Sequence, residues 1–274
     1  MLSQNHFLKK ILDARENTSA FWSTAQDKTK TLLLFVHGFG GSSVGTWENL
    51  PELLLSNPKF SDCDLVFYGY DGLYKQVPIS GEQFRGFLSN LSTQPAEVCN
   101  STLQDGHRSS TFKYNKIIII AHSLGAVVAR RALLNAHNNG EDWLDSIHLL
   151  LFAPAHMGTT NVQSLVSTCV SAIPGLGKIL AAIGRWRYLA ADDLLPGSTT
   201  LTNLERDTIQ ALENGGCQYL IAHKVLFGEL ENIVQTARFC QDPTLTPVEN
   251  KGHVDICKPE SDYLIPVQAL QELV

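Results

Sequence analysis

Short runs of aliphatic and aromatic residues recur along the chain, and most are followed by a stretch in which apolar residues take a helical spacing. Runs that are apolar at nearly every position are typical of strands buried on both faces. Their alternation with helices predicts a mostly parallel sheet covered by helices on both sides, an α/β fold. The predicted strands are TLLLFV at Thr31–Val36, DLVFY at Asp64–Tyr68, KIIIIA at Lys116–Ala121, IHLLLF at Ile147–Phe152, YLIAHKVLF at Tyr219–Phe227 and LTPVE at Leu245–Glu249.

The segments between the strands carry the spacing of amphipathic helices, with apolar residues three or four positions apart. The predicted helices are Trp47–Leu55, Gly81–Leu91, Ser123–Ala136, Leu201–Leu212 and Asp262–Leu273. Near the N-terminus, four apolar residues predict one side of a further short helix; they are Phe7, Leu8, Ile11 and Leu12. We therefore expect an N-terminal helical segment at residues 1–30 and a single domain at residues 31–274.

Residues 158–200 form a largely apolar insertion within this domain. Its stretch Val162–Gly184 is about long enough to span a bilayer. However, Pro174, Gly177 and Lys178 interrupt the stretch, and polar residues open it. We therefore expect a helix–break–helix hairpin over a pocket rather than a membrane span.

The composition is that of a globular protein with a sizeable core, since 44 % of the 274 residues are hydrophobic and 18 % are charged. A formal net charge of −6, without a long basic run, argues against nucleic-acid binding. The six cysteines lie far apart, without the paired spacing of metal sites, which favours reduced thiols. The first residues contain no uninterrupted apolar run of the kind found in secretory signal peptides, so we expect a cytoplasmic protein.

The first predicted strand is followed by the glycine-rich sequence HGFGGS at His37–Ser42. Its glycines allow backbone N–H groups to approach a ligand closely. The sequence lacks the lysine and the spacing of a phosphate-binding loop. Because an ester carbonyl that becomes an alkoxide needs preorganised hydrogen-bond donors, the loop is better suited to hold an oxyanion.

The third predicted strand is followed by Ala-His-Ser-Leu-Gly at Ala121–Gly125 and then by a predicted helix. A tight strand-to-helix turn needs small residues two positions before and after the serine, and Ala121 and Gly125 meet that need. Ser123 then lies at a helix N-terminus, where the N–H group of Leu124 favours a developing negative charge. These features indicate a nucleophile; the alternative is that Ser123 merely caps the helix.

A histidine follows the last predicted strand, at His253 in the sequence ENKGHVD. It is the histidine in the expected order after Ser123, and we predict that it is the general base. His156, in APAHMGT at another strand end, is the rival. His37 and His122 belong to the two loops described above and are expected to shape or orient them.

A general-base histidine needs a carboxylate that holds its tautomer and stabilises the imidazolium. The sequence GELENIV at Gly228–Val234 resembles a G-x-x-D-x-I-V turn in which an aspartate has that role, with Glu231 at the acid position. The alternatives are that Glu231 is a surface carboxylate and that the acid is one of Glu229, Asp242 and Asp255.

Together these motifs resemble the α/β-hydrolase fold, with its chain order of serine, acid and histidine. Three further segments are similar to particular groups within that superfamily. APAHMGT at Ala153–Thr159 resembles a segment of lipases, and DLLPGS at Asp193–Ser198 resembles lipase-like and GPI inositol-deacylase-like sequences. GHVDICKPES at Gly252–Ser261 is similar to the ending of the serine-active-site esterase group. Two residues depart from the usual pattern: Ala121 replaces a glycine and Glu231 replaces an aspartate.

The resemblance implies a serine hydrolase of carboxylic esters, of lipase or phospholipase character, that acts on lipid or fatty-acyl esters. It implies an acyl-enzyme on Ser123, His253 as the base and Glu231 as the acid, and it requires no metal or organic cofactor. The N–H groups of Phe39 and Leu124 would form the oxyanion hole. The residues that we expect in the substrate pocket or under the lid are His37, His122, His156 and Met157.

Residues 158–200 lie where lids lie in lipases, so we expect a lid that lines an acyl pocket or contacts a membrane surface. The alternative is that these residues simply cap the core. Two other functions share the motifs: an acyltransferase, which excludes water, and a catalytically inactive hydrolase fold that serves as a binding module.

Overall fold

The computed structural model describes residues 6–11, 19–24, 29–100, 108–160, 162–171 and 189–274. Its centre is a sheet of eight strands. The strands are β1 (His6–Ile11), β2 (Ser19–Thr24), β3 (Thr31–Val36), β4 (Cys63–Tyr68), β5 (Lys116–His122), β6 (Ile147–Phe152), β7 (Ala222–Gly228) and β8 (Thr246–Val248). Their order in the sheet is β1-β2-β4-β3-β5-β6-β7-β8.

Strands β3 to β8 are parallel to one another, which confirms the predicted parallel sheet and its predicted strands. The largest difference in bounds is in β7, which begins at Ala222 because Gln218–Leu220 forms a 3-10 turn. Strands β3 and β5 are central and almost completely buried. Their carboxyl ends, where the glycine loop (His37–Ser42) and the serine turn (Ala121–Gly125) begin, therefore meet in the middle of one edge of the sheet.

The N-terminal helical segment predicted for residues 1–30 is wrong for the part of it that the structure describes. Residues 6–11 and 19–24 form the antiparallel pair β1 and β2, and β2 also pairs with β4 in antiparallel orientation. These residues form strands rather than a helix because of a tertiary contact: β2 pairs with β4 and covers its otherwise free edge. Phe21 and Trp22 are buried there, and the ring of Trp22 packs edge-on against Phe67 at 5.3 Å between centroids.

The helices flank this sheet, and each helix predicted after residue 30 that falls within the described residues is present. They are α1 (Leu50–Ser56), α2 (Val77–Thr93), α3 (Pro95–Asn100), α4 (Leu124–Asn138), α5 (Val162–Ser171), α6 (Leu189–Asp193), α7 (Thr199–Glu213) and α8 (Ile265–Gln271). The first helix of the predicted hairpin corresponds to α5, and residues 172–188 lie outside the described part of the chain. Within that part, no helix has the length and apolar character that crossing a membrane requires.

A buried ion pair joins α4 to the segment that follows β7. The Arg130 guanidinium donates to Asp242 at 2.7 Å and to the carbonyl of Leu220 at 2.6 Å. Both side chains of the pair are almost fully buried. The second carboxylate oxygen of Asp242 accepts from the N–H of Ala222 at 2.9 Å, and the guanidinium lies over the ring of Phe239. The pair thus fixes the start of β7 against the helix that begins after Ser123.

We expect Asp242→Asn to lower the free energy of unfolding by about 3–5 kcal/mol, because the buried charge of Arg130 would lose its partner. The double variant Arg130→Met/Asp242→Asn should recover part of the loss, since it leaves no unpaired charge in the interior. Urea unfolding followed by circular dichroism measures both.

The matched control is Arg206→Met, because Arg206 forms an exposed ion pair with Asp207. That change should cost less than about 1 kcal/mol. An Asp242→Asn variant as stable as the control would show that the buried Arg130–Asp242 pair does not stabilise the fold.

Candidate active site

Ser123 lies between the last residue of β5 and the first residue of α4, in a backbone conformation that L-amino acids rarely adopt. Its φ is 54° and its ψ is −121°. Strain of this kind costs about 1–3 kcal/mol and persists only where the surroundings hold it. Here the N–H of Ser123 donates to the carbonyl of Phe152 at 3.0 Å. The carbonyl of Ser123 accepts from Ala126 at 3.1 Å and from Ala155 at 3.2 Å.

Two glycines allow the glycine loop and the start of α4 to come this close. A Cβ on Gly125 would lie 2.4 Å from the carbonyl oxygens of both Val36 and His37. A Cβ on Gly38 would lie 2.9 Å from the Cβ of Ser123. Ala121 is fully buried in β5, so the turn accommodates its methyl group.

The structure brings Ser123, His253 and Glu231 into one chain of contacts. His253 Nε2 lies 2.9 Å from Ser123 Oγ, so that the hydroxyl can donate to the ring. His253 Nδ1 lies 2.9 Å from Glu231 Oε2, and its N–H donates to the carboxylate. The three residues follow β5, β8 and β7, and they meet because parallel strands end at the same edge of the sheet.

Glu231 is held by its own turn. Its Oε1 accepts from the N–H groups of Ile233 at 2.8 Å and Val234 at 3.0 Å, which leaves Oε2 for His253. Burial raises the pKa of Glu231, but the hydrogen bonds from His253 and from these two N–H groups outweigh burial, so the pKa lies below its ordinary value. The carboxylate is therefore charged at neutral pH.

The rival carboxylates are exposed or bonded to other groups. Glu229 is exposed and accepts from the N–H of Asn250. Asp242 is engaged by Arg130, and Asp255 is exposed.

The glycine loop is fixed by His37 and by a residue that the sequence did not suggest, Tyr70. His37 is fully buried, and its Nδ1–H donates to the carbonyl of Gly38 at 2.9 Å. The Tyr70 hydroxyl donates to the carbonyl of His37 at 2.8 Å, and the two rings stack at 4.3 Å. Burial lowers the pKa of His37 to about 4, so the ring is neutral at pH 7. No motif marks Tyr70; its position two residues after β4 is the only sequence signal.

His122 and His156 are also buried and bonded to the backbone. His122 Nε2 lies 2.8 Å from the carbonyl of His253, and burial lowers the pKa of His122 to about 3. His156 Nε2 lies 3.2 Å from the carbonyl of Ala126, and its ring stacks on Phe239. Burial holds the pKa of His156 well below its ordinary value. The rival base is thus turned toward α4, whereas His253 contacts Ser123.

The remaining predicted positions lie around the serine turn. Leu124 is the first residue of α4, where an N–H group has no earlier carbonyl of its own helix to bind. Phe39 is buried in the glycine loop, and Met157 is half-buried against the core. The oxyanion role of Phe39 and Leu124, and substrate contact by Met157 and the three histidines above, stay predictions.

Three solved structures of similar fold are distant in sequence. A lipase of Bacillus licheniformis, BlEst2, is 15 % identical with a TM-score of 0.56, and the match covers 97 % of both chains. A bacterial membrane phospholipase A is 14 % identical with a TM-score of 0.53, and the match covers 98 % of this chain and 86 % of the other. The peroxisomal α/β-hydrolase Lpx1 of Saccharomyces cerevisiae is 11 % identical with a TM-score of 0.51, covering 99 % and 90 %. The fold is that of the α/β-hydrolases.

Comparison with curated proteins gives no significant match. The model of a protein family described as "Putative serine esterase (DUF676)" matches residues 26–184, which include the glycine loop and the serine turn. Because this match spans more than half of the chain, the protein belongs to this family.

Proposed function

We propose that the protein is a serine hydrolase that cleaves carboxylic esters through an acyl-enzyme on Ser123. The observation that carries the proposal is the contact chain Ser123–His253–Glu231, with 2.9 Å at each step, built on the strained serine turn. A serine hydroxyl is a weak nucleophile, and a base within hydrogen-bond reach activates it. Membership of a serine esterase family supports the same reaction class.

In the acylation step, His253 Nε2 takes the proton of Ser123 Oγ as the oxygen attacks the ester carbonyl carbon. Glu231 stabilises the imidazolium that forms and keeps Nδ1–H pointing away from the serine. The N–H groups of Leu124 and Phe39 would receive the negative charge on the carbonyl oxygen. The imidazolium then gives its proton to the leaving alcohol, and the C–O bond to that alcohol breaks.

In the deacylation step, water replaces the alcohol. His253 Nε2 takes a proton from the water as its oxygen attacks the acyl carbon. The proton returns to Ser123 Oγ when the acyl–serine bond breaks, which releases the carboxylic acid and restores the enzyme. The protein groups that exchange the proton, Ser123 and His253, lie in the serine turn and in the histidine loop (Glu249–Lys258). The carboxylate that stabilises the imidazolium lies in the acid turn (Gly228–Val234).

The proposed substrates are lipid or fatty-acyl esters. Four large apolar side chains are exposed around the start of α2 and at the two ends of α6: Tyr74, Ile79, Leu189 and Leu195. Two hydrogen bonds join the segments that carry them, Ala190 N–H to Leu73 carbonyl at 3.3 Å and Val77 N–H to Asp193 at 2.7 Å. Because the connection from β4 to α2 lies at the carboxyl edge of the sheet, this apolar rim is on the same side as Ser123.

The apolar rim gives a long acyl chain, or the surface of a lipid aggregate, a place to contact the protein. We propose that residues 158–200, to which Leu189 and Leu195 belong, act as a lid on that side. The names of two of the structural relatives, a lipase and a membrane phospholipase A, agree with this substrate class.

One prediction of the proposed function concerns the nucleophile and its partners. A fluorophosphonate probe should label the wild-type protein, and Ser123→Ala should abolish the labelling. His253→Ala and Glu231→Gln should each lower kcat for a chromogenic ester by about 10²–10⁴, because the serine loses its base or the base loses its orienting charge.

The matched control for Glu231→Gln is Glu229→Gln, which removes a carboxylate two residues earlier from an exposed position. Its activity should stay within about twofold of the wild type. The mechanism is wrong if the probe labels Ser123→Ala as fast as the wild type, or if the two glutamate variants behave alike. A wild-type protein that does not label at all would favour a binding module.

The second prediction concerns chain length. We expect kcat/KM for a p-nitrophenyl octanoate to exceed that for the acetate by at least about tenfold, because burying each added methylene contributes about 0.8 kcal/mol when it leaves water. Ile79→Glu/Leu195→Glu should lower the octanoate value and leave the acetate value within about twofold.

The control substitution is Ile209→Glu. Ile209 is about as exposed as Leu195, but it lies near the C-terminal end of α7, whereas Leu195 precedes the start of that helix. It should change kcat/KM for neither substrate. A strict preference for acetate would exclude the lipid-ester assignment while leaving the serine esterase mechanism intact.

A further inference from the structure

His122 is the residue immediately before Ser123, so it belongs to the serine turn. It also contacts the histidine loop and the glycine loop, and these three segments have to converge for the contact chain to form. It is the last residue of β5 and is buried. Its Nε2 lies 2.8 Å from the backbone carbonyl of His253, and the two imidazole rings are 4.9 Å apart. On its other side, a Cβ on Gly38 would lie 3.0 Å from His122 Nδ1, so the ring is in close contact with the glycine loop.

The direction of this hydrogen bond is fixed by its chemistry. A carbonyl oxygen can only accept, so the proton must be on Nε2 of His122. Burial and the neighbouring His253 both disfavour a second proton, and the pKa of His122 is lowered to about 3. Within the described structure, Nδ1 has no hydrogen-bond partner, as expected for a neutral ring. His122 is therefore a neutral donor whose proton stays in place.

The histidine loop needs an anchor of this kind. β8 is three residues long, and His253 comes five residues after its end. The ring of His253 contacts Ser123 and Glu231, but those contacts act on the end of the side chain. The hydrogen bond from His122 acts on the backbone of His253 itself, and thus fixes the position from which the imidazole extends.

We propose that His122 is a positioning residue: it holds the backbone of His253 at the distance from Ser123 that proton transfer requires. The proposal rests on the proposed esterase function. This positioning role takes the place of the substrate contact that the sequence predicted for His122, because the ring nitrogen that carries the proton faces the protein backbone. Since misplacing a catalytic group by about 1 Å can cost on the order of 10²-fold in rate, loss of this donor should be visible in kcat.

The test compares His122→Phe with His122→Gln. Phenylalanine keeps a flat ring but has no donor, whereas the glutamine amide nitrogen lies about as far from Cβ as histidine Nε2 and can donate to the same carbonyl. We expect His122→Phe to lower kcat, and the rate of fluorophosphonate labelling of Ser123, by about 10- to 100-fold. KM should stay within about twofold, and His122→Gln should recover most of the loss.

The matched controls are His148→Phe and His148→Gln. His148 is in the neighbouring strand β6 but near its amino end, so it lies at the edge of the sheet opposite to the one that carries Ser123. Both variants should keep wild-type kcat. The proposal is wrong if His122→Phe labels at the wild-type rate, if its defect lies in KM, or if a folded His122→Gln is as impaired as His122→Phe.

A second measurement does not depend on turnover and covers the case in which His122→Phe fails to fold. In ¹⁵N-histidine NMR, the signals of His122 are those present in the wild-type protein and absent from His122→Gln. In the wild type, these signals should show a proton on Nε2 and no protonation of the ring between pH 8 and pH 5. A proton on Nδ1, or titration in that range, would overturn the proposal. A protein that shows this tautomer but neither labels nor hydrolyses esters would instead contradict the proposed function.

Discussion

The arrangement of the candidate active site depends on one constraint, the turn that forces the backbone of Ser123 into a left-handed φ of 54°. Such a conformation is unfavourable by itself and survives because the structure on both sides is rigid. β5 is buried between β3 and β6, and α4 packs back onto the sheet with Gly125 against the carbonyls of Val36 and His37. Neither element can relax without opening the core, so the strain is retained and the hydroxyl of Ser123 is held toward His253.

The buried histidines around this turn have a common physical role. His37, His122 and His156 are each neutral, because burial lowers the pKa of each, and each donates to a backbone carbonyl. A lysine or arginine donor would bring a permanent positive charge next to His253, which in the proposed reaction becomes an imidazolium. Neutral imidazole donors fix the loops without opposing that charge.

The sequence was sufficient to predict the parallel sheet and to single out Ser123, His253 and Glu231, which the structure brings into contact, because those residues stand in short motifs at strand ends, where topology brings them together. It did not predict the β1–β2 pair, since the apolar spacing of a short segment fits a helix as well as a strand until the edge of β4 is available to pair with it. It also did not indicate Tyr70 or the backbone partner of His122. Those roles depend on contacts between distant segments, and no local spacing encodes them.

The glutamate at the acid position illustrates how the turn, rather than the length of the side chain, sets the geometry. Glutamate has one more rotatable bond than aspartate, and fixing it costs conformational entropy. The acid turn offsets this cost, because the N–H groups of Ile233 and Val234 bind Oε1 and leave Oε2 to His253. The turn itself is pressed against the histidine loop: a Cβ on Gly228 would lie 2.0 Å from the carbonyl oxygen of Lys251. Glycine at this position therefore brings the two loops close enough for the longer acid to reach the ring with its carboxylate already held.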